Sequence, residues 1–242
     1  MSDTELQRGF RTRFEWGSAG LARLGPGSDV IVIVDVFRFT TAVDAVLAAG
    51  GLVAPVEWSK RDPDRIQHLY LSPVHLATST KRGDRVDLPS PNGAQLTVEA
   101  TALGAHVMCG CLRNAGAVAA EARRRGERVT VIAAGERWDD GSLRPALEDL
   151  LGAGAILASL GPGDASPEAQ LAAASFESVR PRLPGLLRAC ASGRWLEEVG
   201  LGDDIDVASQ VGVSTVAPTL RDGVYVGPLP SPPPPGGGGK GG

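Results

Sequence analysis

Residues 30–34, VIVIV, are five consecutive β-branched residues, and Asp35 follows them directly. Side chains along a strand alternate between its two faces, so a run that is apolar at every position needs cover on both sides. Sheets packed between two layers of helices meet that condition.

The rest of the chain repeats the pattern. TAVDAVLAAGG (41–51) reads as a helix with a glycine stop, and LVAPVEW (52–58) as a strand. RVDLP (85–89) is a weak strand, AQLTVEATALG (94–104) a helix, and AHVMCGC (105–111) a strand. NAGAVAAEARRRG (114–126) is a helix and RVTVIAAG (128–135) a strand, while LRPALEDLLGAGAILASLG (143–161) holds one helix or two. Further helices are expected at about 165–180, 182–191, 193–199 and 203–209. TLRDGVYVG (219–227) closes with a short strand and an Asp-Gly turn. The expected class is α/β, a mostly parallel sheet with helices on both faces. With 242 residues, 43% of them hydrophobic, two closely packed α/β lobes are the alternative. One domain is expected over 1–227. PLPSPPPPGGGGKGG (228–242) reads as a disordered Pro/Gly-rich tail, since it holds too little apolar surface for a core.

A net charge of -4 provides no basic field for nucleic acid, so that partner is not expected. The basic run Arg123–Arg125 falls at a helix end, where cations suit the helix dipole. No apolar run reaches the length of a membrane span, and MSDTELQRGF is polar at the N-terminus. The expectation is a cytoplasmic protein without a membrane partner. Cys109 and Cys111 share one strand face and read as small core residues, with no zinc-type spacing near them. Of the scattered His68, His75 and His106, the last falls in a buried-strand pattern and reads as a core residue. The apolar segments GLLRAC and LGAGAILASL could bury within the chain or against a second copy, so a homo-oligomer stays open.

Open α/β sheets bind ligands outside the carboxyl ends of their strands, where helix N-termini also point. The first such end presents Asp35, Arg38, Thr40 and Thr41; the next presents Ser90, Pro91, Asn92 and Gly93. Arg113 and Asn114 follow the third, and Glu136 the fourth, with Glu148 and Asp149 on the helix beyond. Thr40, Ser90 and Asn114 each have a plain reading as helix N-caps. Asp35 is harder to explain so, because a carboxylate at the end of a buried strand is costly unless paired or metal-bound. Carboxylates, an arginine and helix N-termini on one rim suit a divalent cation with a phosphorylated ligand.

Several phosphate chemistries are excluded. There is no Walker-type G-x-x-x-x-G-K-[ST], and no G-x-G-x-x-G opens a helix. A haloacid-dehalogenase-type phosphatase would need a second aspartate where Phe37 stands, and no histidine-nucleophile motif exists.

DVFRFTTA (35–42), SPNGA (90–94), LRNAGAVA (112–119), AAGE (133–136) and LEDLLGAGAIL (147–157) resemble the 2-phosphosulfolactate phosphatase (ComB) family. So do SGRWLEEVGLGDDIDVASQ (192–210) and VSTVAPTLRDG (213–223). The resemblance spans about 28–226. It implies an α/β, magnesium-dependent phosphatase releasing sulfolactate and phosphate from 2-phosphosulfolactate, a step in coenzyme M biosynthesis. On that basis Asp35, Arg38 and Glu136 are the expected catalytic residues. Asp35 and Glu136 would ligate Mg²⁺, with Glu148 and Asp149 supporting. Thr40, Thr41, Ser90, Asn92, Gly93, Arg113 and Asn114 would bind a small phosphorylated anion. Two features depart from the family pattern. Phe37 and Phe39 flank Arg38 where small or aliphatic residues are usual, and 69–89 lacks the usual E-R-x-G stretch. Since phosphosulfolactate is triply anionic, a cation-rich site is expected, drawn from Arg38, Arg113, Arg137 and Lys81 or Arg82. A phosphatase of another phosphorylated hydroxy acid, and a non-catalytic binder of an anionic metabolite, are the alternatives.

Overall fold

The computed structural model describes residues 6–62 and 71–227. In chain order the elements begin with β1 (Thr12–Trp16), α1 (Gly17–Leu24), β2 (Val30–Val34), α2 (Phe39–Ala48) and β3 (Leu52–Glu57). They continue with α3 (Pro73–Ser79), β4 (Arg85–Ser90), α4 (Gly93–Thr101), β5 (His106–Gly110), α5 (Ala115–Arg125) and β6 (Val129–Ala133). The short strands β7 (Glu136–Arg137) and β8 (Leu143–Arg144) precede α6 (Leu147–Leu160), α7 (Pro167–Val179), α8 (Leu183–Ala189), α9 (Ala191–Glu198) and α10 (Gly202–Ala208). The chain closes with β9 (Thr219–Arg221) and β10 (Val224–Val226).

All five residues of β2 are fully buried, as their apolar run requires. β2 lies between β5 and β6, parallel to both, with Val32 opposite Met108 on one side and Val131 on the other. The sheet has eight strands in the order β1-β6-β2-β5-β9-β10-β3-β4. Its larger block is parallel, and β3 and β4 form a second parallel pair. The antiparallel β9–β10 hairpin joins the two blocks. Its turn residues Asp222 and Gly223 have φ of 49° and 76°, the left-handed pair that suits a tight hairpin. The expectation of one short strand with an Asp-Gly turn thus becomes two strands flanking that turn.

Each sheet face has its own core. Val30, Val32 and Val34 pack with Val118, Leu151, Ile156, Phe176 and Leu187 from α5 to α8. Ile31 and Ile33 pack with Leu21, Phe39, Val43, Leu96 and Tyr225. The expected helices on both faces are present, and one sheet runs through what could have been two lobes. α2 and α4 contact strands of both parallel blocks, and the sheet curls round them until the end of β4 meets the end of β2. α6 is one helix, and its apolar run buries within the chain. A Cβ at Gly152 would lie 2.5 Å from Val36 Cγ2, and one at Gly154 only 2.3 Å from the Ala172 carbonyl oxygen. Small residues let α6 sit directly on the β2 end and on α7.

Five elements lack a counterpart in the sequence reading: β1, α1, α3 and the short β7 and β8, and β8 stands where the expected helix began, so α6 starts only at Leu147. β1 and α1 were hidden by the charged alternation of TRFEW, in which the buried Arg13 guanidinium donates to the carbonyls of Leu24 and Gly27. α3 carried a recognisable start, since Ser72 caps the N–H of His75 and Pro73 fills the first position. His106 corrects an expectation: it opens β5 at the strand edge and is exposed, not part of the core. Cys109 and Cys111 are buried free thiols, as expected. Among the described residues no helix is long and apolar enough to cross a membrane. The tail at 228–242 and His68 lie outside the described residues.

Candidate active site

The turn after β2 is fastened by its own hydroxyls. Thr40 Oγ1 donates to the Asp35 carbonyl at 2.8 Å and accepts the Asp35 N–H at 3.2 Å. Thr41 Oγ1 donates to the Val36 carbonyl at 2.8 Å. Both threonines are fully buried, and their bonds hold the backbone from Asp35 to the start of α2. The peptide bond between Phe37 and Arg38 is cis.

Asp35 meets the end of β4 across this turn. Its Oδ2 accepts the Gly93 N–H at 2.7 Å and the Ser90 hydroxyl at 3.1 Å. Ser90 Oγ also accepts the N–H groups of Asn92 and Gly93, at 3.3 and 3.1 Å. A Cβ at Gly93 would stand 2.7 Å from Asp35 Oδ2 and 2.4 Å from Phe39 Cδ1, so only glycine lets the helix start approach. Asn92 Nδ2 donates to Glu136 Oε2 at 3.0 Å, joining the ends of β4 and β6. From the first turn of α6, Asp149 accepts the Val36 N–H on Oδ1 at 2.7 Å and the Gly135 N–H on Oδ2 at 2.8 Å. Glu148 beside it is buried and lies 3.5 Å from the Cys190 thiol. Arg38 Nη1 pairs with Asp204 of α10 at 2.9 Å, and Ser72 Oγ donates to the other Asp204 oxygen at 2.6 Å.

Asp35, Arg38, Ser90, Asn92 and Glu136 share a cleft of about 540 Å³. Its remaining walls are mainly apolar: Phe37, Trp58, Leu71, Pro89, Pro91, Trp195 and Val199. The carboxyl groups are held high. Burial pushes Asp35 up to about 6, against the pull of its bonds from Gly93 and Ser90. Glu136 rises to about 7, first through burial and then through the charges of Asp35 and Glu148. Asp149 is also raised well above the usual range, because burial and neighbouring carboxylates outweigh its two amide bonds.

Not every expected site residue reaches the cleft. Thr40 and Thr41 are turn fasteners. The amides of Asn92 and Gly93 face Ser90 and Asp35 rather than a ligand. Arg113 Nε pairs instead with the fully buried Asp44 at 2.8 Å, and Asn114 Nδ2 donates to the same carboxylate at 3.3 Å. Ser214 Oγ donates to Asp44 at 2.5 Å, so this network ties the segment before β9 to α2. Arg137 is exposed and lines a smaller neighbouring cavity, and Lys81 and Arg82 are exposed at the turn before β4. Sequence reasoning missed Asp204, Ser72 and the tryptophans. Ser72-Pro73 carried a capping signal, whereas nothing local ties Asp204 to an arginine 166 positions away.

Among the described residues no three Asp, Glu, His or Cys side chains stand close enough to hold a metal by themselves. Both Asp149 oxygens are engaged by amides, and the carboxylates that line the cleft are Asp35 and Glu136. Two hard oxygen donors whose pKa values are raised by burial and by neighbouring carboxylates fit magnesium, which takes one or two carboxylates and completes its shell with water and phosphate oxygens. Such a set can hold a cation, bind an anion through Arg38 and shield both from solvent behind the apolar walls.

The family described as 2-phosphosulpholactate phosphatase matches residues 65–223. That span begins past Asp35 and Arg38 and includes Ser90, Asn92, Gly93 and Glu136. The chain is 31% identical over 215 residues to the "Probable 2-phosphosulfolactate phosphatase" of Thermus thermophilus, covering 80% of this chain and 88% of that relative. It is 28% identical over 212 residues to the "2-phosphosulfolactate phosphatase" of Methanothermobacter thermautotrophicus, covering 81% and 89%. A "Probable 2-phosphosulfolactate phosphatase" of Deinococcus radiodurans is 29% identical over 220 residues, covering 81% and 89%.

Proposed function

Because the chain belongs to the 2-phosphosulfolactate phosphatase family, we propose that its cleft hydrolyses a phosphomonoester of a small hydroxy acid, with Mg²⁺ held by Asp35 and Glu136. The observation that carries this reading is the convergence of Asp35, Arg38, Ser90, Asn92 and Glu136 on one cleft at the ends of β2, β4 and β6. The names of the relatives make 2-phosphosulfolactate the reference substrate, and a coenzyme M-type pathway is the setting that the family resemblance implies.

In the hydrolysis a water oxygen attacks phosphorus, and the P–O bond to the ester oxygen breaks. The electron pair leaves on that oxygen, which takes up a proton as the attacking water loses one. Arg38 holds phosphoryl oxygens and stabilises the charge that builds on them, with Asp204 and Ser72 fixing its guanidinium. Ser90 and the Gly93 amide fix Asp35 at the cleft through Oδ2. Asn92 orients Glu136 in the same way. Bound magnesium would supply neutralisation of the phosphate charge and a more acidic water. The apolar walls keep bulk water from the reacting centre.

The test is phosphate release from 2-phosphosulfolactate by the purified protein, with Mg²⁺ and with EDTA. Activity that needs the metal and falls by more than about a hundredfold in both Asp35→Asn and Glu136→Gln is expected. Full activity in EDTA would remove the metal from the reading, and full activity in both variants would remove the site.

A further inference from the structure

The walls of the cleft and its charges point in one direction. Among the described residues Arg38 is the basic side chain that lines it, and it already pairs with Asp204. The other cations expected to make the site basic stand elsewhere among the described residues. Arg113 is bound to Asp44, Arg137 is exposed on the smaller cavity, and Lys81 and Arg82 lie before β4. One divalent cation and Arg38 together offset Asp35, Glu136 and Asp204, which leaves no positive surplus. A phosphate can be held there, but a substrate with a carboxylate and a sulfonate as well would meet no further cation among the described residues that line the cleft; Arg144, whose charge reaches Glu136, lies outside that lining and donates to Ser192.

The apolar side is correspondingly large. Trp58, Trp195, Phe37, Leu71 and Val199 all face the same space. Trp195 and Val199, one helical turn apart at the end of α9, are 53% and 43% exposed. Arg61 stacks over the Trp58 ring at 4.2 Å and braces it. Large apolar side chains left open at the mouth of a pocket with a polar floor mark a place where a ligand's apolar surface is buried.

Resting on the phosphatase reading above, we infer that the preferred substrate is a phosphomonoester with an aromatic or branched aliphatic body and at most one anionic group besides the phosphate. The phosphate lies on the polar floor. The apolar body packs against Trp195 and Trp58, whose rings cannot replace the hydration of a sulfonate.

A matched pair tests this, since 2-phosphosulfolactate and 2-phospho-3-phenyllactate differ only in the group on C3. With Mg²⁺ present, kcat/KM for the phenyl ester is expected to exceed that for the sulfonate by about tenfold or more, through KM. Trp195→Ala should lower the ratio of the two values by about tenfold, and Trp195→Phe should keep most of it. A preference for the sulfonate, or a ratio unchanged in Trp195→Ala, overturns the inference and leaves the phosphatase reading standing. Binding of the non-hydrolysable phosphonate of phenyllactate, followed by tryptophan fluorescence, separates the two claims. Binding that is lost in Trp195→Ala without phosphate release from either ester supports the aromatic cleft and sinks the phosphatase reading. Neither binding nor release overturns both.

Discussion

The Asp149 carboxylate accepts the backbone N–H of Val36 at 2.7 Å, so a helix residue holds the peptide that follows Asp35. Its other oxygen holds the peptide between Ala134 and Gly135, one residue before Glu136, through the Gly135 N–H at 2.8 Å. Asp149 thus sets the spacing of the two carboxylates in the cleft without lining it. Asp149→Ala should leave two buried N–H groups unsatisfied and cost about 2–4 kcal/mol of stability. Where that variant is still folded, its Mg²⁺ affinity should fall about tenfold or more, measured by titration calorimetry. Unchanged metal affinity would mean that the spacing is set elsewhere.

The raised pKa values of Asp35 and Glu136 make stability depend on pH. Asp35 sits at about 6 in the fold, against 3.8 for an ordinary aspartate. The folded protein therefore binds its proton more tightly than the unfolded chain does. This contribution is fully present below about pH 4 and lost as pH rises through 6. It is on the order of 2–3 kcal/mol for this group. Glu136, at about 7, extends the loss to higher pH. Metal-free protein should accordingly melt at a lower temperature at pH 8 than at pH 6. Mg²⁺ should raise the melting temperature more at pH 8 than at pH 6, and Asp35→Asn should flatten the slope. A metal-free protein that gains stability from pH 6 to 8 would contradict the assignment.

Arg38 depends on a partner far away in the chain. With Asp204 beside it at 2.9 Å and both side chains almost fully buried, removing one charge strands the other. Asp204→Ala should cost roughly 3–5 kcal/mol in thermal or denaturant unfolding. Arg38→Lys keeps the charge but loses the planar fork, and kcat/KM should drop about 10²–10³-fold. A lysine variant with wild-type kcat/KM would show that Arg38 serves the fold alone.

The Asp44 network makes the opposite forecast for Arg113. Replacing it with methionine leaves Asp44 buried with only Asn114 and Ser214. A stability loss of about 3 kcal/mol is expected. Substrate KM, measured where the variant is folded, separates the roles, because a rise of about tenfold or more would bring Arg113 back to the substrate.

What could be read in the residues follows from how local each cause is. VIVIV needed cover on both faces whatever its neighbours, and it forms the buried β2. Asp35 and Glu136 announced themselves by standing just past buried strands, a cost visible without a structure. Hydroxyls and amides carried no such signal. Thr40 and Thr41 would look the same in a phosphate cradle or in a turn, and only the fold shows them bonded to the carbonyls of Asp35 and Val36. Arg113 and Asn114 follow a strand as a binding pair would, yet Asp44 on α2 claims both. His106 matched a buried strand by pattern, but the first position of β5 lies at the edge of the core. β1 was concealed because the groups that accept from the buried Arg13 are the carbonyls of Leu24 and Gly27 and the Ser28 hydroxyl, which leave no mark in a sequence.

The closing hairpin has a consequence for how the molecule comes into being. β9 and β10, almost the last of the described residues, are the piece that makes the two parallel blocks one sheet. During synthesis the blocks are made early, but the ribosome must deliver Thr219–Val226 before they can be joined. Until then β5 and β3 present open edges, the surfaces most prone to pairing with another chain. A nascent chain stalled before position 219 could join its two blocks through α2, α4 and the Asp35–Ser90 contact but would leave the sheet itself split, and the last strands act as its keystone.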